Sequence, residues 1–116
     1  MRDILLQCSG LLAIATSIAH GVLGETTVFA RATIEPKRLG TLIHGVWQAG
    51  TVAWIAGGVL LLAAPWMGSD VARHWIIVTF AVVFASAAAG NAWALRGRHI
   101  GWVLMSVVVA LAVASY

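Results

Sequence analysis

Thr41–Trp66, TLIHGVWQAGTVAWIAGGVLLLAAPW, contains no Asp, Glu, Lys or Arg. A bilayer's hydrocarbon core takes roughly 20 apolar residues of helix to cross, and this stretch is long enough. Ile4–Gly24, Ala72–Leu95 and Ile100–Tyr116 share its character, and the four runs fill most of the chain. Their spacing predicts an all-α polytopic membrane protein, an up-down bundle of four transmembrane helices in a single domain, residues 1–116.

Composition agrees. Soluble domains carry about a quarter charged residues. Here the figure is 9%, with 61% hydrophobic residues and a mean hydropathy of +0.95, too few charges to cover a water-facing surface. The first partner is therefore the lipid bilayer, and nucleic acid is not expected. The first run lacks the basic leader and small-residue cleavage site of a signal peptide, because Asp3 follows Arg2 at once. It is read as a retained span. A single cysteine, Cys8, leaves no intrachain disulfide.

Basic residues orient the spans. Arg31, Lys37, Arg38, Arg96 and Arg98 fall in the first and third loops, while Arg2 and Arg73 lie on the opposite side. Lys and Arg in short loops favour the cytoplasm, so loops one and three are expected inside and both termini outside. Trp47, Trp93 and Trp102 then sit near the inner interface, and Trp66, Trp75 and Tyr116 near the outer one. Aromatic rings favour that depth. Trp54 falls mid-span, as a packing residue or a pocket wall.

Helices in lipid associate through close backbone approach and hydrogen bonds. The first run offers Ser9, Ala13, Thr16, Ser17, His20 and Gly24 as one small, polar stripe. The second offers two, Ala49-Ala53-Gly57 and His44-Gln48-Thr51. The third offers Ala81, Ala85, Ala88 and Ala92. The first three helices are expected to form the tight core, with the fourth more exposed to lipid. Glu25–Thr33 extends the first helix, and Pro36 opens the second at its first turn.

Polar groups near the inner face make the candidate site. His20 closes the first span, His44 opens the second, and antiparallel geometry brings them to matched depth. Glu25, Gln48 and Asn91 lie within a turn or two, and Trp54 stands deeper. Ionisable groups inside a membrane read by default as functional. Three chemistries stay open: His20 and His44 as haem ligands, the same pair with Glu25 around a transition metal, or acid–base work on a lipid-soluble substrate. In a continuous α-helix, however, a residue five positions on points well away from His20. Glu25 joins such a site only where Gly21 or Gly24 breaks the turn. Purely structural roles stand beside these. Gln48 and Asn91 join helices, Glu25 neutralises Arg31 or Lys37, and His74 and His99 serve as helix-end anchors.

His20, Gly24 and Glu25, followed by Arg31, Lys37 and Arg38, form a His-x-x-x-Gly-Glu ending with a basic loop. With Trp47-Gln48-Ala49-Gly50-Thr51-Val52-Ala53-Trp54, the chain resembles a family of small, uncharacterised bacterial four-helix integral membrane proteins. That family carries Trp-His-x-x-Ser-x-x-Trp in its second helix. Here Gln48 replaces the histidine and His44 stands one turn earlier. The resemblance implies a bacterial inner (cytoplasmic) membrane protein and no particular reaction.

The leading functional expectation is a non-enzymatic accessory or assembly protein, working with a larger membrane partner or as a homo-oligomer. Its pocket, His20, Glu25, His44, Gln48, Asn91 and Trp54, would take a small ligand or cofactor. The alternatives are a haem- or metal-binding redox protein or enzyme, and a small oligomeric transporter. For the last, no span carries the deep carboxylate that proton-coupled export uses.

Overall fold

Apolar periodicity becomes helix throughout the computed structural model, which describes residues 1–116. Helix α1 covers Arg2–Leu23, runs on through a π-helical stretch, Gly24–Val28, and ends in one more turn, Phe29–Arg31. Helix α2 covers Lys37–Ala63 and finishes in a 3₁₀ turn, Ala64–Trp66. Helices α3 and α4 cover Asp70–Ala94 and Gly101–Ala114. Pro36 caps α2 from just outside rather than forming its first turn. The Ser69 hydroxyl caps α3 by accepting from the Ala72 N–H at 3.2 Å.

Three helices are long and apolar enough to cross a membrane: Arg2–Arg31, Lys37–Trp66 and Asp70–Ala94. The fourth run departs from expectation. Its helix has 14 residues, about 21 Å at the usual rise per residue. The longest molecular axis is 48 Å, enough to cover a bilayer with its headgroups at about 40–45 Å. Only 20 of the 116 residues are buried, so most apolar side chains, among them Leu11, Ile18, Val46, Val52 and Val82, face outward.

Packing differs from the expected core of three helices. Helix α1 lies between α2 and α4, α4 also packs on α3, and α2 touches α3 only lightly. The α4 helix is thus a core element, with Met105, Val108 and Ala112 buried. Two devices explain this. A Cβ on Gly10 would stand 2.6 Å from both the Gly58 carbonyl oxygen and the Leu62 amide nitrogen, so α1 and α2 meet backbone to backbone. On its other side, Ser9 donates its hydroxyl to the Val108 carbonyl at 2.7 Å and ties α1 to α4. Both contacts run antiparallel.

Of the two stripes on α2, the polar one faces α1. Thr51 is buried, and Gly58, two turns on, continues that face. Ala49 and Ala53 are exposed, and Gly57 instead receives the Phe80 ring of α3. On α3, Ala88 is buried while Ala85 is not.

Gly10→Leu is expected to cost about 1–3 kcal/mol through overpacking, read as a lower midpoint of detergent-induced unfolding. Gly50→Ala, where a Cβ meets nothing within 4 Å, should gain up to about 1 kcal/mol from helix propensity. Equal effects at the two sites would refute the backbone contact.

Candidate ligand-binding cavity

The bonds Arg2 Nε to the Ser115 carbonyl, 3.1 Å, and Ser9 to Val108 set the register of α1 against α4. That register places Gly101, the first residue of α4, abreast of Thr16. Beyond this level α1 continues for four more turns with no α4 beside it. The space left over is a cavity of about 360 Å³. Thr16, Ala19, His20 and Leu23 of α1 form one wall, Trp47 and Trp54 of α2 another, and Asn91 of α3 a third. His99, Leu104 and Met105, at the start of α4, close the floor.

No Asp, Glu, Lys or Arg lines this space. Its walls are apolar and aromatic. His20 stacks on Trp47, with ring centroids 4.1 Å apart and planes 7° from parallel. It meets Trp54 at 4.7 Å, and Trp54 in turn meets Phe84 at 5.8 Å. Trp54 therefore serves as a pocket wall as well as a packing residue. Three buried side-chain polar atoms in the protein lack a hydrogen-bond partner, and two of them, Thr16 Oγ1 and Asn91 Oδ1, belong to cavity residues. Thr16 is 8% exposed. A buried polar atom without a partner costs on the order of 1–3 kcal/mol, and two of the three belong to residues around this one cavity.

The structure divides the expected site in two. His20, Trp54 and Asn91 line the cavity, whereas Glu25, His44 and Gln48 bond to one another and do not line it. Glu25 Oε1 accepts from His44 Nε2 and from Gln48 Nε2, each at 2.6 Å. The π turn explains how Glu25 reaches them. Phe29 N–H bonds the Gly24 carbonyl, five residues back, which widens the helix and swings Glu25 towards α2. Side chains of α2 brace that transition. Trp47 donates its indole N–H to the His20 carbonyl at 3.1 Å, and Gln48 donates to the Gly21 carbonyl at 3.2 Å. Gly24 lies against the Trp47 indole so closely that a Cβ would overlap it. Phe29 stacks on His44 at 4.4 Å and meets Trp47 edge-on.

No group of three or more His, Cys, Asp or Glu side chains is placed to hold a metal ion. His44 spends its Nε2 on Glu25, while neither ring nitrogen of His20 bonds to the protein. Glu25 pairs with His44 and Gln48, not with Arg31 or Lys37. The α2 histidine and glutamine thus act on the π turn rather than lining the cavity. Thr16, Trp47 and His99 were not expected as cavity residues. Thr16 had a legible signal, since it stands four residues before His20 on the same helix face. His99 takes its helix-end role by accepting the Gly101 N–H on Nδ1 at 3.0 Å.

A second concavity lies at the opposite end, lined by Arg2, Asp70, Arg73, His74, Trp75 and Tyr116. Its groups mostly bind each other. Arg73 pairs with Asp3, Arg2 and Arg73 both donate to the Ser115 carbonyl, and His74 meets the Tyr116 hydroxyl. This cluster fastens α1, α3 and α4 together.

No family model matches the chain, and neither curated proteins nor solved structures provide a match.

Glu25→Ala removes the shared acceptor of His44 and Gln48. Amides of Thr26–Arg31 are expected to exchange with deuterium faster in this variant, while those of Leu11–Ser17 keep their rate. Unchanged exchange at Thr26–Arg31 would show that the cluster does not hold the π turn.

Proposed function

We propose that this protein is a small, non-enzymatic integral membrane protein of the bacterial inner membrane, an accessory or assembly subunit that holds a small lipid-soluble ligand. In this reading the four helices cross up and down, loops one and three face the cytoplasm, and α4 completes the bundle despite its length. The outward apolar surface and the gathering of five of the seven Lys and Arg residues at or beside the first and third connections support that placement. The family resemblance of the His20-Gly24-Glu25 ending points the same way.

One observation carries the ligand reading: a cavity between helices walled by Trp47 and Trp54, with the ring nitrogens of His20 bonded to no protein group. Sites of this kind, apolar with a few convergent polar groups, are the usual form of small-molecule pockets. The cavity opens near the expected inner interface, within reach of molecules dissolved in the bilayer. A larger membrane partner or a second copy would meet the protein through its exposed helix faces.

The haem- or metal-binding alternative has less support. His20 lines the cavity and His44 does not, and His44 is committed to Glu25. A cavity of about 150 Å³ holds one benzene, so 360 Å³ suits about two rings rather than a porphyrin.

Native mass spectrometry from mild detergent tests the proposal. A bound organic molecule should appear on the wild-type protein and vanish in Leu104→Trp, which fills the cavity floor. An adduct that persists in Leu104→Trp would place the ligand elsewhere.

A further inference from the structure

Most of the charge in the concavity at the other end of the bundle is spent within the protein. Arg73 gives one Nη to Asp3 and the other to the Ser115 carbonyl, and its Nε is shut off from the surface. His74 Nδ1 meets the Tyr116 hydroxyl. Two opposite charges are left over. Arg2 uses only its Nε, on the Ser115 carbonyl at 3.1 Å, so both Nη groups of its guanidinium lack a protein acceptor. Asp70 has no ion pair and no hydrogen bond through its side chain. Both residues are exposed, and both line this space of about 580 Å³ as well as the smaller one beside it. They do not bond to each other.

The free groups define what would fit between them. A guanidinium with an open fork suits a phosphate, which accepts from two of its N–H groups at once. A free carboxylate suits an ammonium that has N–H to donate. A ligand with only one of these charges would bring a like charge beside the other residue, phosphate beside Asp70 or amine beside Arg2. A zwitterion that carries both satisfies the pair. A space of about 150 Å³ holds one benzene, so 580 Å³ has room for such a head group.

The remaining lining asks for a tail. Val71 and Trp75 border the concavity and are 70% and 61% exposed. Val78 and Val82, also exposed, continue the same face of α3 towards the middle of the bundle. This apolar track leads away from the charges. Trp75 and Tyr116 are ring types that settle at head-group depth.

We propose that Arg2 and Asp70 hold the head group of a zwitterionic phospholipid with a primary ammonium, phosphatidylethanolamine, with an acyl chain along Val71, Trp75, Val78 and Val82. Arg2 takes the phosphate and Asp70 the ammonium. Phosphatidylcholine offers the same charges but no ammonium N–H, and phosphatidylglycerol offers no cation. The site rests on the bilayer reading above and is independent of the cavity at the other end.

Native mass spectrometry in mild detergent tests this by titrating the three lipids, with identical acyl chains, into the full chain. The expected result is one phosphatidylethanolamine bound about threefold to fivefold more tightly than either other lipid, the scale of an exposed ion pair. Asp70→Asn, which removes a side chain bonded to nothing in the protein, should abolish the preference over phosphatidylcholine and leave phosphatidylcholine binding unchanged. Soluble glycerophosphoethanolamine at equal concentration should leave the lipid in place. Equal wild-type binding of the three lipids would overturn head-group recognition, and a preference that survives Asp70→Asn would overturn the assignment to this concavity. Displacement by glycerophosphoethanolamine would overturn the apolar track and make the soluble diester the ligand. A chain that stays monomeric and soluble without detergent would overturn the bilayer reading itself, and this site with it.

Discussion

Everything in this bundle depends on how closely α1 can be approached. In the proposed bilayer setting there is no water to expel between helices, so association rests on backbone proximity and hydrogen bonds. Gly10 and Gly58 give α1 and α2 that proximity, and Ser9 supplies a hydroxyl for the Val108 carbonyl on the neighbouring side. One short segment, Ser9-Gly10, therefore docks two helices at once. Larger side chains there would separate α1 from its neighbours and dissolve the register that places Gly101 opposite Thr16. The cavity is a product of that register.

The two polar clusters near the far end of α1 divide labour in a way that simple proximity hides. Glu25, His44 and Gln48 satisfy one another and the carbonyls of the π turn. Polar groups so fully engaged rigidify a structure but leave little capacity for a guest. Thr16, His20 and Asn91 are the reverse: they line one cavity and are incompletely bonded. Trp47 is shared between them. One face of its indole takes the His20 ring, its N–H holds the His20 carbonyl, and its edge meets Phe29. A single ring thus couples the geometry of the π turn to the shape of the cavity wall.

Much of the helical arrangement was legible in the residues. Runs of apolar side chains mark all four helices, and the stripe Ser9, Ala13, Thr16 and Ser17 is buried as its spacing predicts. What spacing could not reveal was the choice between competing stripes on α2. Ala49-Ala53-Gly57 is smaller, but Thr51 and Gly58 share the face that meets α1. Nor did the valine-rich composition of α4 disclose its central place, because a helix apolar on every side carries no directional signal. At the site, His20, Asn91 and Trp54 were visible as polar or aromatic residues at odd depths. Their separation from Glu25, His44 and Gln48 depends on the π turn, and a local change in helical pitch leaves only a weak mark in side-chain pattern. Gly24 permits the close approach of Trp47 without announcing it.

The late start of α4 has one more consequence. In the proposed bilayer setting three helices of 25 to 30 residues face lipid, while α4, with 14 residues, stands about half as tall beside the cavity. In a bilayer such a perimeter has two thicknesses, and the acyl chains next to α4 must shorten or tilt to follow it, at fractions of a kcal/mol per Å of mismatch. That strain is relieved when something other than lipid occupies the step, whether a guest in the cavity or a neighbouring helix. The membrane itself would then push the protein towards company on its short side, giving it a preferred direction of association without any dedicated contact surface.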